Sequence, residues 1–131
     1  MTSRLDEALH LLAAGARDRT AFQILGRDAD SPAEIMLFLA QQAAEKSIKT
    51  VLCVQGLTYR RTHDLSELHA LAAANGIAIP VARELLMCLG PYAVEHRYLS
   101  VGAPDVALGD AAAAIESLLN WAKVHVDTIQ P

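Results

Sequence analysis

The feature of this sequence that most constrains its fold is a long helical pattern from Pro32 to Gln55. Ser31 precedes the pattern as a good N-cap, Pro32 suits the first helical position, and Glu34 is placed to complete a capping box with Ser31. Gly56 is suited to end the helix, because glycine readily adopts the left-handed conformation of a C-terminal cap. We therefore expect one helix here, about 36 Å long at a rise of roughly 1.5 Å per residue.

Apolar residues recur at helical spacing through most of the remaining chain. The predicted helices run from near Ser3 to about Leu25, from about Asp64 to Asn75, from Pro80 with a kink or break at Gly90-Pro91, and from Ala107 to Thr128. In the last helix the residues expected to face inward are Ala114, Ile115, Leu118, Trp121 and Val124. No segment alternates over enough residues to predict a strand. The fold class that follows is an all-α antiparallel up-and-down bundle of four to five helices.

Length and composition indicate a single globular domain over residues 1–131, because apolar residues make up 53% of the chain and charged residues 20%. The formal net charge of −4 argues against broad electrostatic binding to nucleic acid, but it is compatible with a small basic pocket. Cys53 and Cys88 lie in apolar helical sequence, so we expect two buried thiols in a reduced cytoplasm. The sequence has no secretory signal pattern and no apolar run of membrane-spanning length.

A charged island interrupts the apolar sequence of the long helix. Gln42, Glu45, Lys46 and Lys49 fall at helical spacing and share one face. One interpretation is the solvated stripe that every amphipathic helix has, in which Glu45 and Lys49 form an ordinary i, i+4 pair. The other is a cation pair positioned for a phosphate or for an acidic partner surface.

Two further segments carry candidate functional side chains. His63 follows a basic loop and precedes Asp64, which is a good N-cap for the short helix; His63 itself could be a plain loop residue, a partner of Asp64 or a titrating group. His96, Arg97 and Tyr98 stand at the end of the interrupted helix. There the arginine could satisfy terminal carbonyls, grip a phosphate or stack on a base.

Other chemistries lack their sequence patterns. The five histidines show no metal-ligand spacing with Cys, Asp or Glu, so no metal site is predicted. The sequence has no Gly-rich phosphate loop and no nucleophile elbow. No cofactor is therefore expected.

Taken together, these segments resemble the HEPN family (higher eukaryotes and prokaryotes nucleotide-binding domain). The matching segments are Gln-Ala-Ala-Glu-Lys-Ser-Ile-Lys at 42–49, His63-Asp64-Leu65, Arg97-Tyr98 and Asp110-Ala111. Their order and separations also fit, and the resemblance covers roughly Leu5 to Val126. The glutamine-alanine-x-glutamate-lysine core becomes fairly specific only when it is joined to the other elements.

The resemblance implies a helical bundle that usually pairs as a homodimer. Bacterial members of the family often stand beside a minimal nucleotidyltransferase in a toxin–antitoxin-like pair, and some members bind nucleotides. Others are metal-independent ribonucleases with an arginine and a histidine four to six residues apart. That spacing is absent after Arg97, where Tyr98 is followed by Leu-Ser-Val-Gly-Ala, so a ribonuclease is the less favoured alternative.

The preferred hypothesis is a binding module in which cations from separate helices converge on a shared cleft for a nucleotide phosphate or for the acidic face of a partner. The candidate ligand-binding residues are Gln42, Glu45, Lys46, Lys49, His63, Asp64, Arg97 and Tyr98. No catalytic residue is assigned under this hypothesis. In the ribonuclease alternative, His63 or His96 would be the general base, and Arg97 would stabilise charge on the phosphate. A third possibility is an assembly surface in which the polar stripe forms salt bridges within a dimer.

Overall fold

The computed structural model describes residues 3–95 and 106–130. Its helices are α1 (Arg4–Leu25), α2 (Ala33–Val54), α3 (Leu65–Ala74), α4 (Arg83–Leu89), the single-turn α5 (Tyr92–Glu95) and α6 (Leu108–Asp127). No strand occurs in this described part of the chain. The prediction of an all-α helical bundle is therefore confirmed. Arg97 and Tyr98, and the neighbouring His96, lie outside the described residues.

The three long helices pack side by side, with α2 in the centre of the bundle. The Cys53 thiol near the end of α2 donates a hydrogen bond to the Arg4 carbonyl at the start of α1 (3.3 Å), so these two helices are antiparallel. The Gln55 side chain after α2 contacts His125 near the end of α6 at 3.3 Å, and α6 therefore runs in the same direction as α2. The short helices α3, α4 and α5 connect the end of α2 to the start of α6.

Gly15 allows α1 to lie close to both of its neighbours. It is buried, and a Cβ atom added to it would stand 3.2 Å from Leu119 Cδ2 on α6 and 3.5 Å from Lys46 Cβ on α2. A glycine in a helix costs about 1 kcal/mol relative to alanine, so its place here is explained by packing and not by helix propensity.

The start of α2 differs from the sequence prediction. Its N-cap is Pro32, which makes no side-chain capping hydrogen bond. The predicted capping box is therefore wrong: the Ser31 hydroxyl donates instead to the Leu25 carbonyl at the end of α1, over 2.6 Å. The tight α1–α2 turn brings the Leu25 carbonyl within reach, and this carbonyl accepts from the Ser31 hydroxyl as well as from the Asp28 amide at 3.1 Å.

The other predicted helix ends agree closely with the structure. Ser3 caps α1 through a capping box with Asp6. Gly56 and Gly76 have φ angles of +74° and +71°, and they end α2 and α3 in the left-handed conformation that glycine favours. The break predicted at Gly90-Pro91 is confirmed, since α4 ends one residue before Gly90. The fourth helix, however, begins at Arg83 and not at Pro80.

The core lies around α2, with Leu37, Ile48 and Leu52 fully buried. Two predictions of burial are wrong. Cys88 is exposed, because it stands two residues after the buried Leu86 and so lies on the opposite face of α4. Val124 is 61% exposed for the same reason. The inward face of α6 follows an i, i+4 series through Leu118, Ala122 and Val126. The prediction of a buried Cys53 is confirmed.

Candidate functional site

A buried carboxylate, Glu45, organises the centre of the charged island. Its side chain is only 4% exposed. One oxygen accepts a hydrogen bond from Gln41 Nε2 at 3.1 Å, and the other pairs with Lys49 Nζ at 3.0 Å. His63 Nδ1 lies 3.0 and 3.2 Å from the two oxygens. A buried carboxylate is costly unless it is paired and hydrogen-bonded, and here both oxygens have partners.

The same group of side chains fastens the loop between α2 and α3, residues 57–64, to the surface of α2. Gln41 Nε2 donates to the His63 carbonyl at 3.2 Å while also donating to Glu45. Gln42 Nε2 in turn donates to Gln41 Oε1 at 2.6 Å, which orients the Gln41 amide. The loop is therefore held by contacts to both the main chain and the side chain of His63.

The geometry fixes which nitrogen of His63 faces Glu45. An ionised carboxylate can only accept hydrogen bonds, so Nδ1 must carry the proton that lies between them. In the neutral ring the other nitrogen, Nε2, is then an acceptor with a free lone pair. The His63 side chain is 58% exposed, and its Nε2 has no hydrogen-bond partner among residues 3–95 and 106–130. The pair consists of a buried carboxylate and a half-exposed imidazole.

Lys49 extends the network to the aromatic ring of Tyr59. Its Nζ lies 5.7 Å from the centre of the ring, a cation–π distance, and the lysine side chain is only 12% exposed. Burial, reinforced by the negative charges of nearby carboxylates, raises the pKa of Tyr59 to about 12. The Tyr59 hydroxyl therefore keeps its proton to a higher pH than an ordinary tyrosine does.

Lys46 does not join this group. Its Nζ forms a 2.6 Å ion pair with Asp18 on α1, and both side chains are largely buried, with exposures of 24% and 18%. Residues 45 and 46 are about 100° apart around a helix, so neighbouring positions face different elements. Lys46 therefore ties α2 to α1, whereas Glu45 and Lys49 face the loop 57–64.

Asp64, the next residue in the loop, has a local structural role. Its side chain accepts hydrogen bonds from the amides of Ser66 and Glu67, so the prediction of an N-cap for α3 is confirmed. The hydrogen bond from the Ser66 hydroxyl, aided by those amides, lowers the pKa of the Asp64 carboxyl. Nearby, Arg60 Nε pairs with Glu67 at 2.5 Å on the exposed side of the same loop.

The structure thus brings together part of the residue set predicted from sequence. Gln42, Glu45, Lys49 and His63 form one group, whereas Lys46 and Asp64 have other partners. Sequence reasoning missed Gln41, which is fully buried, although its position four residues before Glu45 was a usable signal. Tyr59 and Asp18 were also missed, and no local spacing identifies them because they approach from other elements.

Two absences within residues 3–95 and 106–130 bear on the class of protein. Among these residues, no group of three or more histidine, cysteine, aspartate or glutamate side chains is placed to hold a metal ion. No helix in the same part of the chain has both the length and the apolar character needed to cross a membrane.

Comparison with known proteins assigns the fold to a family. The sequence profile of the HEPN domain matches residues 27–125, which is most of the chain. A crystal structure of an archaeal HEPN homologue is similar, with a TM-score of 0.58 and 26% sequence identity over 91% of this chain and 97% of that one. A comparison with curated proteins finds no significant match. The chain belongs to the HEPN family.

Proposed function

We propose that this chain is the HEPN component of a two-protein pair, acting as a homodimeric binding module for a minimal nucleotidyltransferase in a toxin–antitoxin-like system. The family assignment supports the pairing. The proposed contact surface is the loop 57–64, with the side chains of Arg61 and His63 as its exposed basic groups. It differs from the cleft expected from sequence, because Lys46 and Lys49 are both committed to ion pairs within the chain.

The observation that carries this proposal is the way Glu45 holds His63. A side chain that is more than half exposed would ordinarily sample many conformations, and ordering it on binding costs free energy. Here the buried Glu45 carboxylate holds the ring through Nδ1 before any partner arrives, leaving Nε2 unpaired. Preorganised polar groups of this kind increase affinity because less entropy is lost on binding.

Arg61 supplies positive charge beside this ring. It is exposed, and within the described ranges, 3–95 and 106–130, it forms no ion pair. Arginine is well suited to the carboxylates of an acidic protein surface and to phosphate, because its guanidinium donates two parallel hydrogen bonds. Arg61 and His63 together therefore fit an acidic partner better than an apolar one.

The test begins with the tagged full-length chain, expressed in its native host and purified together with the proteins bound to it. We expect a stoichiometric nucleotidyltransferase, identified by mass spectrometry. In calorimetry with that partner, Arg61→Ala and His63→Ala should each weaken binding about tenfold or more, equivalent to about 1.4 kcal/mol. Arg27→Ala is the matched control, since Arg27 is also exposed but lies in the turn before α2. Unchanged affinity in both loop variants would contradict the proposed surface.

A second candidate function is metal-independent cleavage of RNA, and the Glu45–His63 pair is the observation that favours it. A carboxylate that holds Nδ1–H leaves Nε2 as a general base, able to take the proton of a ribose 2′-hydroxyl. In this alternative Glu45 is a positioning residue and His63 the catalytic one. The alternative base His96 and the charge-stabilising Arg97 lie outside the described residues, so the candidate rests on His63 alone.

Purified protein, with and without its partner, distinguishes this second candidate from pure binding. If His63 is the base, the chain should cleave single-stranded RNA but not the 2′-O-methyl form, and His63→Ala should abolish cleavage. Glu45→Gln should shift the pH profile of cleavage and not merely reduce the amount of folded protein. Wild-type protein that leaves all RNA intact would eliminate the ribonuclease candidate without affecting the binding proposal.

A further inference from the structure

The hydrogen bond that holds His63 is compatible with both charge states of its ring. Nδ1 lies 3.0 and 3.2 Å from the two oxygens of the buried Glu45 carboxylate. An ionised carboxylate only accepts hydrogen bonds, so Nδ1 carries a proton whether the imidazole is neutral or charged. The proton that the ring gains or loses is therefore the one on Nε2, which has no hydrogen-bond partner among residues 3–95 and 106–130.

The main chain on either side of His63 is held by contacts that do not involve the imidazole. Its carbonyl accepts from Gln41 Nε2 at 3.2 Å, and Gln41 is fully buried. The Asp64 amide donates to the Thr62 hydroxyl at 3.0 Å, and Thr62 is buried as well. We therefore expect the loop 57–64 to keep its position when the ring changes charge. The side chain is 58% exposed, so solvent can supply the proton.

The charged groups around this loop balance when the imidazole is neutral. Within residues 3–95 and 106–130, those on the loop and those that adjoin it from α1, α2 and α3 are four acids and four bases. They are Glu7, Glu45, Asp64, Glu67, Arg4, Lys49, Arg60 and Arg61. Tyr59 and Cys53, two titratable groups beside them, stay neutral at pH 7 because burial raises the pKa of each. Protonation of His63 therefore adds one uncompensated positive charge.

We propose that His63 makes the loop 57–64 a pH-dependent docking surface, which binds an acidic protein partner more tightly when the imidazole is protonated. The inference rests on the proposed function and adds regulation to its contact surface. A partner carboxylate would then meet two cations, Arg61 and His63, in place of one. At the same time Nε2 changes from a hydrogen-bond acceptor to a donor, which is the role that a carboxylate requires of its partner.

The direction of the pH dependence follows from which side titrates. Imidazoles change charge between about pH 5 and pH 8, whereas ordinary carboxylates of a partner stay ionised above about pH 5. As the pH falls from about 8 to about 6, the positive charge of the loop increases and the negative charge of the partner is unchanged. Affinity should therefore rise. Because binding and protonation are linked, complex formation near neutral pH should also take up a fraction of a proton.

Calorimetry of the full chain with the co-purified nucleotidyltransferase, at about pH 6 and about pH 8, tests the proposal. We expect the dissociation constant to be about threefold to fivefold lower at the acidic pH, the effect of an exposed ion pair. His63→Gln keeps a polar side chain that is neutral at both pH values, so it should lose this difference. His10→Gln is the matched control, since His10 is exposed on α1 outside the loop, and it should keep the difference.

Proton uptake is a second readout, which a merely structural role of His63 would not change. At about pH 7, in buffers of different ionisation enthalpy, wild-type binding should take up a larger fraction of a proton than His63→Gln binding. A structural role would instead lower the affinity by the same factor at every pH and leave proton uptake unaltered. Circular dichroism at each pH checks that the variants are folded before titration.

Three outcomes would overturn the pH-dependent surface. They are equal pH dependence in wild type and His63→Gln, equal proton uptake in the two, and loss of the pH dependence in His10→Gln as well. If affinity does not vary with pH while Arg61→Ala still weakens binding about tenfold, the pH dependence is rejected and the proposed function stands. If no nucleotidyltransferase is purified with the chain, both are rejected.

Discussion

At the scale of single residues, adjacent side chains of this chain have separate tasks. Glu45 is buried and holds His63, whereas Lys46, the next residue, pairs with Asp18 on α1. His63 is more than half exposed, whereas Asp64, the next residue, caps α3. In each case one of the two neighbours takes part in the Glu45–His63 contact at the loop 57–64. The other stabilises a helix, either by capping it or by pairing with a neighbouring helix. Residue type alone does not indicate which member has which task.

Asp64 gives a prediction at this scale. Replacing it with alanine should lower the free energy of unfolding by about 1 kcal/mol at pH 7, because two helix amides lose their acceptor. Its pKa is lowered in the folded protein, so the charged cap contributes stability above the unfolded pKa of about 3.9 and loses it as pH falls through the folded value.

Urea unfolding at several pH values measures this effect. The difference in unfolding free energy between wild type and Asp64→Ala should shrink below about pH 4. Asp64→Asn is the control, since asparagine caps helices without a charge, and its difference from Asp64→Ala should not vary with pH. A gap between wild type and Asp64→Ala that stays constant down to pH 2 would contradict the assigned cap.

At the scale of secondary-structure elements, the close approach of α1 to α2 and α6 determines which side chains can pair. The ion pair of Lys46 with Asp18 and the hydrogen bond of Cys53 to Arg4 both cross from α2 to α1. Gly15 stands between these contacts along α1, where an added Cβ would crowd the Leu119 side chain at 3.2 Å. Because α1 packs against this side of α2, Lys46 pairs with Asp18 and not with the loop 57–64.

Gly15 therefore gives a prediction for the helix interface. Gly15→Val should lower the free energy of unfolding by about 1–3 kcal/mol, the usual cost of overpacking, since its extra carbons would meet Leu119 and Lys46. Gly109→Ala in α6 is the matched control: nothing lies within 4 Å of an added Cβ there, so the change should be neutral or stabilising. Equal destabilisation of the two variants in urea unfolding would contradict the assigned role of Gly15.

At the scale of the whole molecule, much of the bundle could be predicted from sequence because its signals are local. Helical spacing and the terminating glycines Gly56 and Gly76 located α1, α2, α3 and α6 nearly to the residue. The two wrong predictions of burial, Val124 and Cys88, are errors in the rotational phase of a helix that was itself predicted. That phase depends on which neighbours pack against the helix, and sequence spacing gives this only approximately.

The candidate site was less predictable because it depends on contacts between distant segments. Spacing correctly placed Gln42, Glu45 and Lys49 near one another on α2. It could not show that α1 flanks one side of this stripe and the loop 57–64 the other, which separates Lys46 from its neighbours. The partners Asp18, Tyr59 and His63 lie 28, 10 and 18 residues away from the residues they contact, so no local pattern reveals them.

We propose that Glu45 in α2 acts through His63, by binding its Nδ1–H and leaving its Nε2 free. Nitrogen-15 NMR of the imidazole rings tests it directly, with His63→Ala used to assign the His63 signals. At a pH where the ring is neutral, we expect a protonated Nδ1 and an unprotonated Nε2 in wild type, with this preference reduced in Glu45→Gln. A wild-type ring protonated at Nε2, or a tautomer unaffected by Glu45→Gln, would contradict the account.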